Sequence, residues 1–289
     1  MNILTTMKRL PFFKYQCLGN DFIVIDQIRK IRSISKPEKL AIEICSRNFG
    51  VGADGILLLS RSKKADCRME IYNSDGSWAE KSGNGLRIAG AYYYSSYFRK
   101  KKISIETATD IAGIEIKRAD GNEFGIKVSL GRPKFEANNV PVKSKYKFHI
   151  SRPAKIQGRN IEITALSVGN PHAVIFVEDF DFEWKVIGRE IENASIFPQR
   201  TNVEFARVIN RKKVELNDWE RGAGATGSSG TGAAAAVVAG AIKGLTERKA
   251  EVVFPTGSLY IDWSIDNDQI YLTGPVKFIC RGECLSSVM

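Results

Sequence analysis

Two short glycine-rich tetrads, Ser82-Gly83-Asn84-Gly85 and Ser229-Gly230-Thr231-Gly232, each stand immediately ahead of a run that is apolar on nearly every side. The runs are Leu86-Arg87-Ile88-Ala89-Gly90-Ala91-Tyr92-Tyr93-Tyr94 and Ala233-Ala234-Ala235-Ala236-Val237-Val238-Ala239-Gly240-Ala241-Ile242. A helix that is apolar all round has no face to offer water, so each run predicts a buried helix. The small Ala and Gly residues along each run would let neighbouring elements approach closely. The tetrads lie roughly half of the 289-residue chain apart, one in each half, so the same device is used twice.

The rest of each half breaks into short alternating bursts. The first half has Phe22–Asp26, Gly55–Leu59, Cys67–Tyr72, Ile103–Thr107, Gly113–Lys117 and Phe124–Val128; the second has His172–Val177, Asn202–Val208, Lys213–Leu216 and Glu251–Phe254. Their period of two predicts half-buried antiparallel strands. The expected fold class is α+β: two similar domains, each a curled, mostly antiparallel sheet around a central buried helix. Residues 1–130, with 275–289 returning to them, are expected to form the first domain and 131–274 the second. The stretch Lys134–Lys145, bounded by Pro133 and containing Pro141, reads as the hinge.

Composition narrows the function classes. A hydrophobic content of 43% and a charged content of 26% belong to a folding chain and exclude a wholly disordered one. The net charge of +11 invites a nucleic-acid reading. Its one dense basic run, Arg99-Lys100-Lys101-Lys102, carries no interleaved stacking aromatics, so it reads as solvated surface and no nucleic-acid partner is expected. Five scattered cysteines, Cys17, Cys45, Cys67, Cys280 and Cys284, do not form a secreted disulfide framework and fit a reducing cytoplasm. The N-terminal Met1–Phe13 lacks a signal-peptide core and no apolar window is long enough to span a membrane, so no membrane association is expected. With only His149 and His172 and no paired cysteine spacing, no metal site is expected either.

A helix N-terminus preceded by glycines lets a ligand reach free backbone N–H groups at the positive end of the dipole, which suits a carboxylate or phosphate. Ser82 and Ser229 equally suit the plainer role of N-caps. The neighbouring motifs bear on that choice. In order, they are Gly19-Asn20-Asp21-Phe22, Gly50-Val51-Gly52-Ala53-Asp54-Gly55, Tyr72-Asn73-Ser74-Asp75-Gly76-Ser77, the first tetrad, Gly169-Asn170-Pro171-His172, Arg200-Thr201-Asn202-Val203, Trp219-Glu220-Arg221-Gly222-Ala223-Gly224 and the second tetrad.

This series resembles the diaminopimelate epimerase family from about Phe13 to Val276, nearly the whole chain. The resemblance implies two domains facing each other across a cleft and inverting a Cα centre of an amino-acid substrate, diaminopimelate, without a cofactor. One residue takes the proton from one face and another delivers a proton to the opposite face. Carried over, Asn20, Asn73, Asn170 and Asn202 would meet substrate polar groups. Glu220 and Arg221 would grip the amine and carboxylates, and Gly83, Asn84, Gly230 and Thr231 would supply helix-mouth N–H groups. His172 aligns with an active-site histidine. The implied setting is lysine and peptidoglycan-precursor synthesis, with a homodimer left open. Independently of the family, carbanion character at Cα needs fixed dipoles aimed at the carboxylate, which two helix N-termini provide.

At both acid/base positions the family carries cysteine where this chain has Ser82 and Ser229. A thiol ionises near neutrality at a helix N-terminus, whereas a hydroxyl needs a neighbour to take its proton. Three readings follow from the sequence: serines assisted by His172 or Glu220, serines introduced into an epimerase to trap substrate, or a divergent relative that binds or isomerises another amino acid. Ala225, where the family more often has Glu, and Gly227 also depart from the family loop.

Overall fold

Runs of β-branched and aromatic residues broken by Gly, Asn and Asp favour strands, and the computed structural model of the protein, which describes residues 8–29, 34–97 and 99–286, is built mainly of them. Met1–Met7 of the segment read for a targeting signal lie outside the described residues. The chain divides into two units, Met1–Val128 with Gly274–Met289, and Ser129–Thr273.

The first unit runs β1 (Lys8–Cys17), β2 (Asn20–Asp26), α1 (Pro37–Cys45), β3 (Gly55–Ser60), β4 (Cys67–Asn73), β5 (Trp78–Ala79), α2 (Gly83–Ser96), β6 (Lys102–Glu106), β7 (Ile111–Asp120) and β8 (Glu123–Gly131), whose last residues pass the unit boundary. β1–β2 pair antiparallel, β2–β3 parallel, β3–β4 antiparallel, β4–β6 parallel, and β6–β7 and β7–β8 antiparallel. The helix α2 is buried from Gly83 to Tyr93 and packs on β7, β1 and β2. Close approach is real here: a Cβ on Gly90 would sit 2.6 Å from Ile114 Cγ2.

The expectation of half-buried antiparallel strands fails for β2 and β3, which pair parallel and are buried on both faces. The reason is α1, whose Leu40, Ala41 and Ile44 cluster with Ile23, Ile25, Ile56 and Leu58 on the face that points away from α2. No strand was expected over β1 either, although Pro11 sits in its middle. Lys8–Gln16 nonetheless pair with Lys277–Ser286 of the last strand, β16 (Ile270–Ser286).

The second unit runs β9 (Arg152–Ile156), β10 (Arg159–Ser167), β11 (Pro171–Phe176), α3 (Trp184–Glu192), β12 (Asn202–Asn210), β13 (Lys213–Trp219), α4 (Gly230–Ile242), β14 (Lys249–Phe254), β15 (Gly257–Trp263) and the start of β16. After the β9–β10 hairpin, β10–β11 pair antiparallel, β11–β12 parallel, β12–β13 antiparallel, β13–β14 parallel, and β14–β15 and β15–β16 antiparallel. This is the same order of pairings found in the first unit. α4 packs on β10 through β15, with Ala233–Ala239 fully buried.

Lys134–Lys145 is not a hinge. Ala137, Val140 and Val142 are buried in the second unit's core with Ile163, Phe197 and Val203, and Lys134 bridges to Ser167. Between the prolines the chain makes two isolated bridges, Lys134 to Ser167 and Glu136 to Phe148, and a 3-10 turn at Ala137–Asn139, with Pro141 in the turn that follows. The fold class is thus a sheet-dominated α+β arrangement, mostly antiparallel, with four parallel strand contacts among the described residues.

Candidate active site

In the first unit a two-residue hairpin loop, Leu18-Gly19, joins β1 to β2. Both residues have positive φ, 50° and 91°, the geometry of a tight hairpin turn, and the loop delivers Asn20 at the head of β2. Ser82 caps α2 from an extended conformation, its Oγ accepting from Gly85 N at 3.0 Å. The first intrahelical bond is Leu86 N to Ser82 O, so the N–H groups of Gly83 and Asn84 precede the ladder.

A directed chain of hydrogen bonds crosses this mouth. Arg87 Nη2 donates to Asn84 Oδ1 at 2.5 Å, Asn84 Nδ2 to Asn20 Oδ1 at 2.9 Å, and Asn20 Nδ2 to Asp54 Oδ2 at 2.8 Å. It runs from cation to carboxylate, so flipping either amide would face donor with donor or acceptor with acceptor. Asp54 is tied to Arg47, which also bonds Asp21; Lys14 completes the cluster at 2.9 Å from Asp21. Burial alone would raise the Asp21 carboxyl, but Lys14 and Arg47 outweigh it and hold it below the usual range. Asn73, at the end of β4, stands outside the amide chain and donates to Ser77 Oγ at 2.9 Å, while Ser74 N bonds Asp54 O.

In the second unit Ser229 caps α4 in the same way, accepting from Gly232 N at 3.2 Å. Asn170 Nδ2 donates to Thr231 Oγ1 at 3.4 Å, which turns its Oδ1 toward His172 Nε2 at 2.8 Å. His172 Nε2 therefore carries a hydrogen, and Nδ1 shares a proton with Glu204 Oε1 at 2.7 Å. Asn202 is buried, donating to Pro171 O and accepting from Arg221 N. The Arg221 guanidinium is exposed and donates to Gln199 O.

Glu220 is half-buried at the start of a tight turn closed by bonds between Glu220 and Gly224. Glu192 of α3 pins that turn, accepting from Gly222 N and from Trp219 Nε1. Thr226 Oγ1 bridges two carboxyls, Asp218 Oδ2 at 2.7 Å and Glu220 Oε1. Burial, reinforced by Asp218, pushes the Glu220 carboxyl up to about 7, and burial pushes Asp218 up to about 6.

The structure thus gathers Asn20, Ser82, Gly83 and Asn84 at one helix mouth and Asn170, His172, Ser229, Gly230 and Thr231 at the other, with Asn202, Glu220 and Arg221 beside the latter. Sequence reasoning missed Asp54, Arg87, Glu192, Glu204, Asp218 and Thr226. Among the described residues no group of three or more His, Cys, Asp or Glu side chains is arranged to hold a metal ion, and no helix is long and apolar enough to cross a membrane.

A family model for diaminopimelate epimerase matches residues 12–136 and 164–279. The diaminopimelate epimerase of Carboxydothermus hydrogenoformans is 43% identical over 277 residues, 95% of this chain and 99% of that one. That of Desulfitobacterium hafniense is 39% identical over 283 residues, 97% and 100% of the two chains. Among solved structures, a hydroxyproline epimerase from Agrobacterium vitis superposes with a TM-score of 0.69 at 12% identity, covering 96% of this chain and 92% of that one. A PhzF-family phenazine biosynthesis protein from Bacillus anthracis does so with 0.67 at 17%, covering 97% and 100%. These two share the fold, while the sequence relatives span the whole length and carry the assignment: the chain belongs to the diaminopimelate epimerase family.

Proposed function

We propose that the protein interconverts LL- and meso-diaminopimelate by moving a proton at Cα without a cofactor, in lysine and peptidoglycan-precursor synthesis. The observation that carries this reading is the match over nearly the full chain to relatives named for that reaction. The two identically capped helix mouths support it chemically, because developing negative charge on the substrate carboxylate is stabilised by fixed N–H groups at a dipole's positive end. The repeated order of strand pairings supports two similar domains, 1–130 with 275–289 and 131–274.

In this reading Ser82 and Ser229 occupy the acid/base positions, with His172 and Glu220 as the assisting groups. Asn20, Asn73, Gly83, Asn84, Asn170, Asn202, Glu220, Arg221, Gly230 and Thr231 bind the substrate. A serine hydroxyl ionises far above neutrality, but as a donor to a carbanion it is a competent acid. Glu220, raised to about 7, supplies the complementary group that ionises at working pH. The proton leaves Cα on one face, the electron pair delocalises into the carboxylate, and a proton arrives on the other face. Free thiols at Cys17, Cys45, Cys67, Cys280 and Cys284 support a cytoplasmic location.

The test is proton NMR of LL- and meso-diaminopimelate in D2O, following loss of the Cα–H signal with the protein and with Ser82→Cys/Ser229→Cys. Exchange by the serine form supports the full reading. Exchange by the cysteine form alone leaves the binding shell and removes the serines as acid/base groups. Absence of exchange in both overturns the substrate.

A further inference from the structure

The Thr226 hydroxyl lies between two carboxyl groups, within hydrogen-bond reach of Asp218 Oδ2 and Glu220 Oε1. A hydroxyl has one hydrogen to give. It donates to one carboxylate and must accept from the other, which is then protonated. The bridge is therefore satisfied only when the two carboxyls hold at least one proton between them. We infer that Asp218 and Thr226 are positioning residues for the proton transfer at Cα, Thr226 coupling the Asp218 and Glu220 carboxyls into a pair that shares a proton. This rests on the reading of Glu220 as a reacting group.

The placement fits that role. Asp218 alternates with Val214 and Leu216 on the inward face of β13 and is 2% exposed, so its carboxyl is fixed from below. Glu220, two residues on, has the same side of the chain but stands at the turn, half-buried, where a ligand can reach it. Thr226 comes from the loop that leads into Ser229 and α4, so the bridge also ties that loop to β13. The ionisable groups that act on Glu220 are Asp218 near the end of β13, Glu204 on β12 and His172 on β11. Glu204 is fully buried and its Oε2 has no hydrogen-bond partner, which adds uncompensated negative potential. His172 offsets part of it. A carboxyl in such surroundings holds a proton that an exposed Glu would have lost, and it gives that proton up on contact with a base of modest strength.

Two substitutions test the coupling from its two ends. In Asp218→Asn the side-chain amide donates to Thr226, the hydroxyl turns to donate to Glu220, and a negative neighbour is gone, so the Glu220 midpoint falls. In Thr226→Val the hydroxyl that accepts from protonated Glu220 disappears, so the midpoint also falls, with the Asp218 charge still in place. Thr226→Ser restores it. A purely structural pair of residues would lower activity without moving the Glu220 midpoint.

The experiment is carboxyl carbon NMR titration of the full-length protein labelled in Asp and Glu side chains, with Glu220→Gln and Asp218→Asn assigning the two resonances. It reads the pair without turnover. The expected result is titration of the two groups well above ordinary carboxyls, a fall of about one pH unit or more in Asp218→Asn, and a fall in Thr226→Val that Thr226→Ser reverses. The low-pH limb of Cα–H exchange should follow the same shifts. A Glu220 that titrates as an exposed glutamate, or a midpoint that stays fixed in both variants, overturns the inference. Glu220→Gln that still exchanges Cα–H overturns the reading of Glu220 and the inference with it. Loss of exchange in Glu220→Gln with fixed midpoints in the other two variants overturns the inference alone.

Discussion

His172 Nδ1 lies 2.7 Å from Glu204 Oε1, and neither side chain reaches solvent. The pair sits against the first turn of α4, where a Cβ on Gly232 would meet Glu204 Oε1 at 3.0 Å, so the helix dipole favours the carboxylate. The imidazole passes the constraint on through Nε2 to Asn170, and Asn170 to Thr231. One buried acid thereby sets the orientation of three side chains at the helix mouth.

Glu204→Ala leaves a buried imidazole without its partner, and the expected loss of stability is about 3–5 kcal/mol, read from urea unfolding. His172→Ala alone leaves Glu204 exposed to the same penalty. The double variant removes both, so it should be markedly less destabilised than the sum of the single variants. Additive losses would mean that the two groups do not share a proton.

Gly90 and Gly240 test the close packing of the two buried helices. A Cβ would lie 2.6 Å from Ile114 Cγ2 at Gly90 and 2.7 Å from Thr246 Oγ1 at Gly240. Gly to Ala in an open helix interior normally stabilises by about 1 kcal/mol. Here each neighbour is a branched side chain held close to its own backbone, so each substitution should instead cost about 1–3 kcal/mol. Thermal or urea midpoints above the parent protein's would show that these helices have room.

Stability should also decline as pH rises toward neutrality. Asp218 and Glu220 have folded-state values raised to about 6 and about 7, so the folded protein binds their proton more tightly than the unfolded chain does. Their contribution is full below the unfolded carboxyl range, near pH 4, and is lost as pH rises through the folded values. Asp21 works in the opposite sense: its lowered value makes its contribution present above about pH 4 and lost as pH falls. Glu220→Gln should flatten the decline between about pH 4 and pH 7, and Asp21→Asn should flatten the acid limb. Unfolding free energies measured across that range check both slopes.

The buried helices, their serine caps and most strands were legible because each depends on local pattern. Period and composition suffice for an apolar helix behind Ser-Gly. α1 and α3 were not legible, being short amphipathic segments of nine residues whose burial is decided by strands distant in sequence. The hinge reading failed because two prolines can flank a stretch equally well whether the residues between them are solvated or, like Ala137 and Val140, packed inside.

For the site, the asparagines and glycines announced themselves through turn chemistry, while the groups that orient them did not. Three of those groups had left a trace. Asp218 falls in phase with Val214 and Leu216, a carboxylate at an inward position, and Glu204 falls in phase with Asn202 on β12. Alternation read residue by residue would have found both. Arg87 was visible as the one charge within an apolar run. Glu192 left none, since its role depends on α3 reaching the turn at Gly222.

Arg87 gives the sharpest separation of stability from function. Its guanidinium is fully buried, with Nη2 bonded to Asn84 and with Nε and Nη1 lacking hydrogen-bond partners. Burial pushes the Cys17 thiol up despite the guanidinium's pull, so that thiol offers no anion to pair with it. Such a charge is a net burden on folding, and replacing it with an apolar side chain of similar length is expected to be neutral or stabilising. Arg87→Met should therefore match or exceed the parent protein's urea midpoint. The same change removes the donor that fixes Asn84 Oδ1, frees that amide to turn, and breaks the directed chain to Asn20 and Asp54. Affinity for meso-diaminopimelate by calorimetry should then fall by about tenfold, the worth of one charge-assisted hydrogen bond. Unchanged affinity with a lowered midpoint would make Arg87 a purely structural residue. A retained midpoint with weakened binding would show that the buried cation is kept for the orientation of the two asparagines.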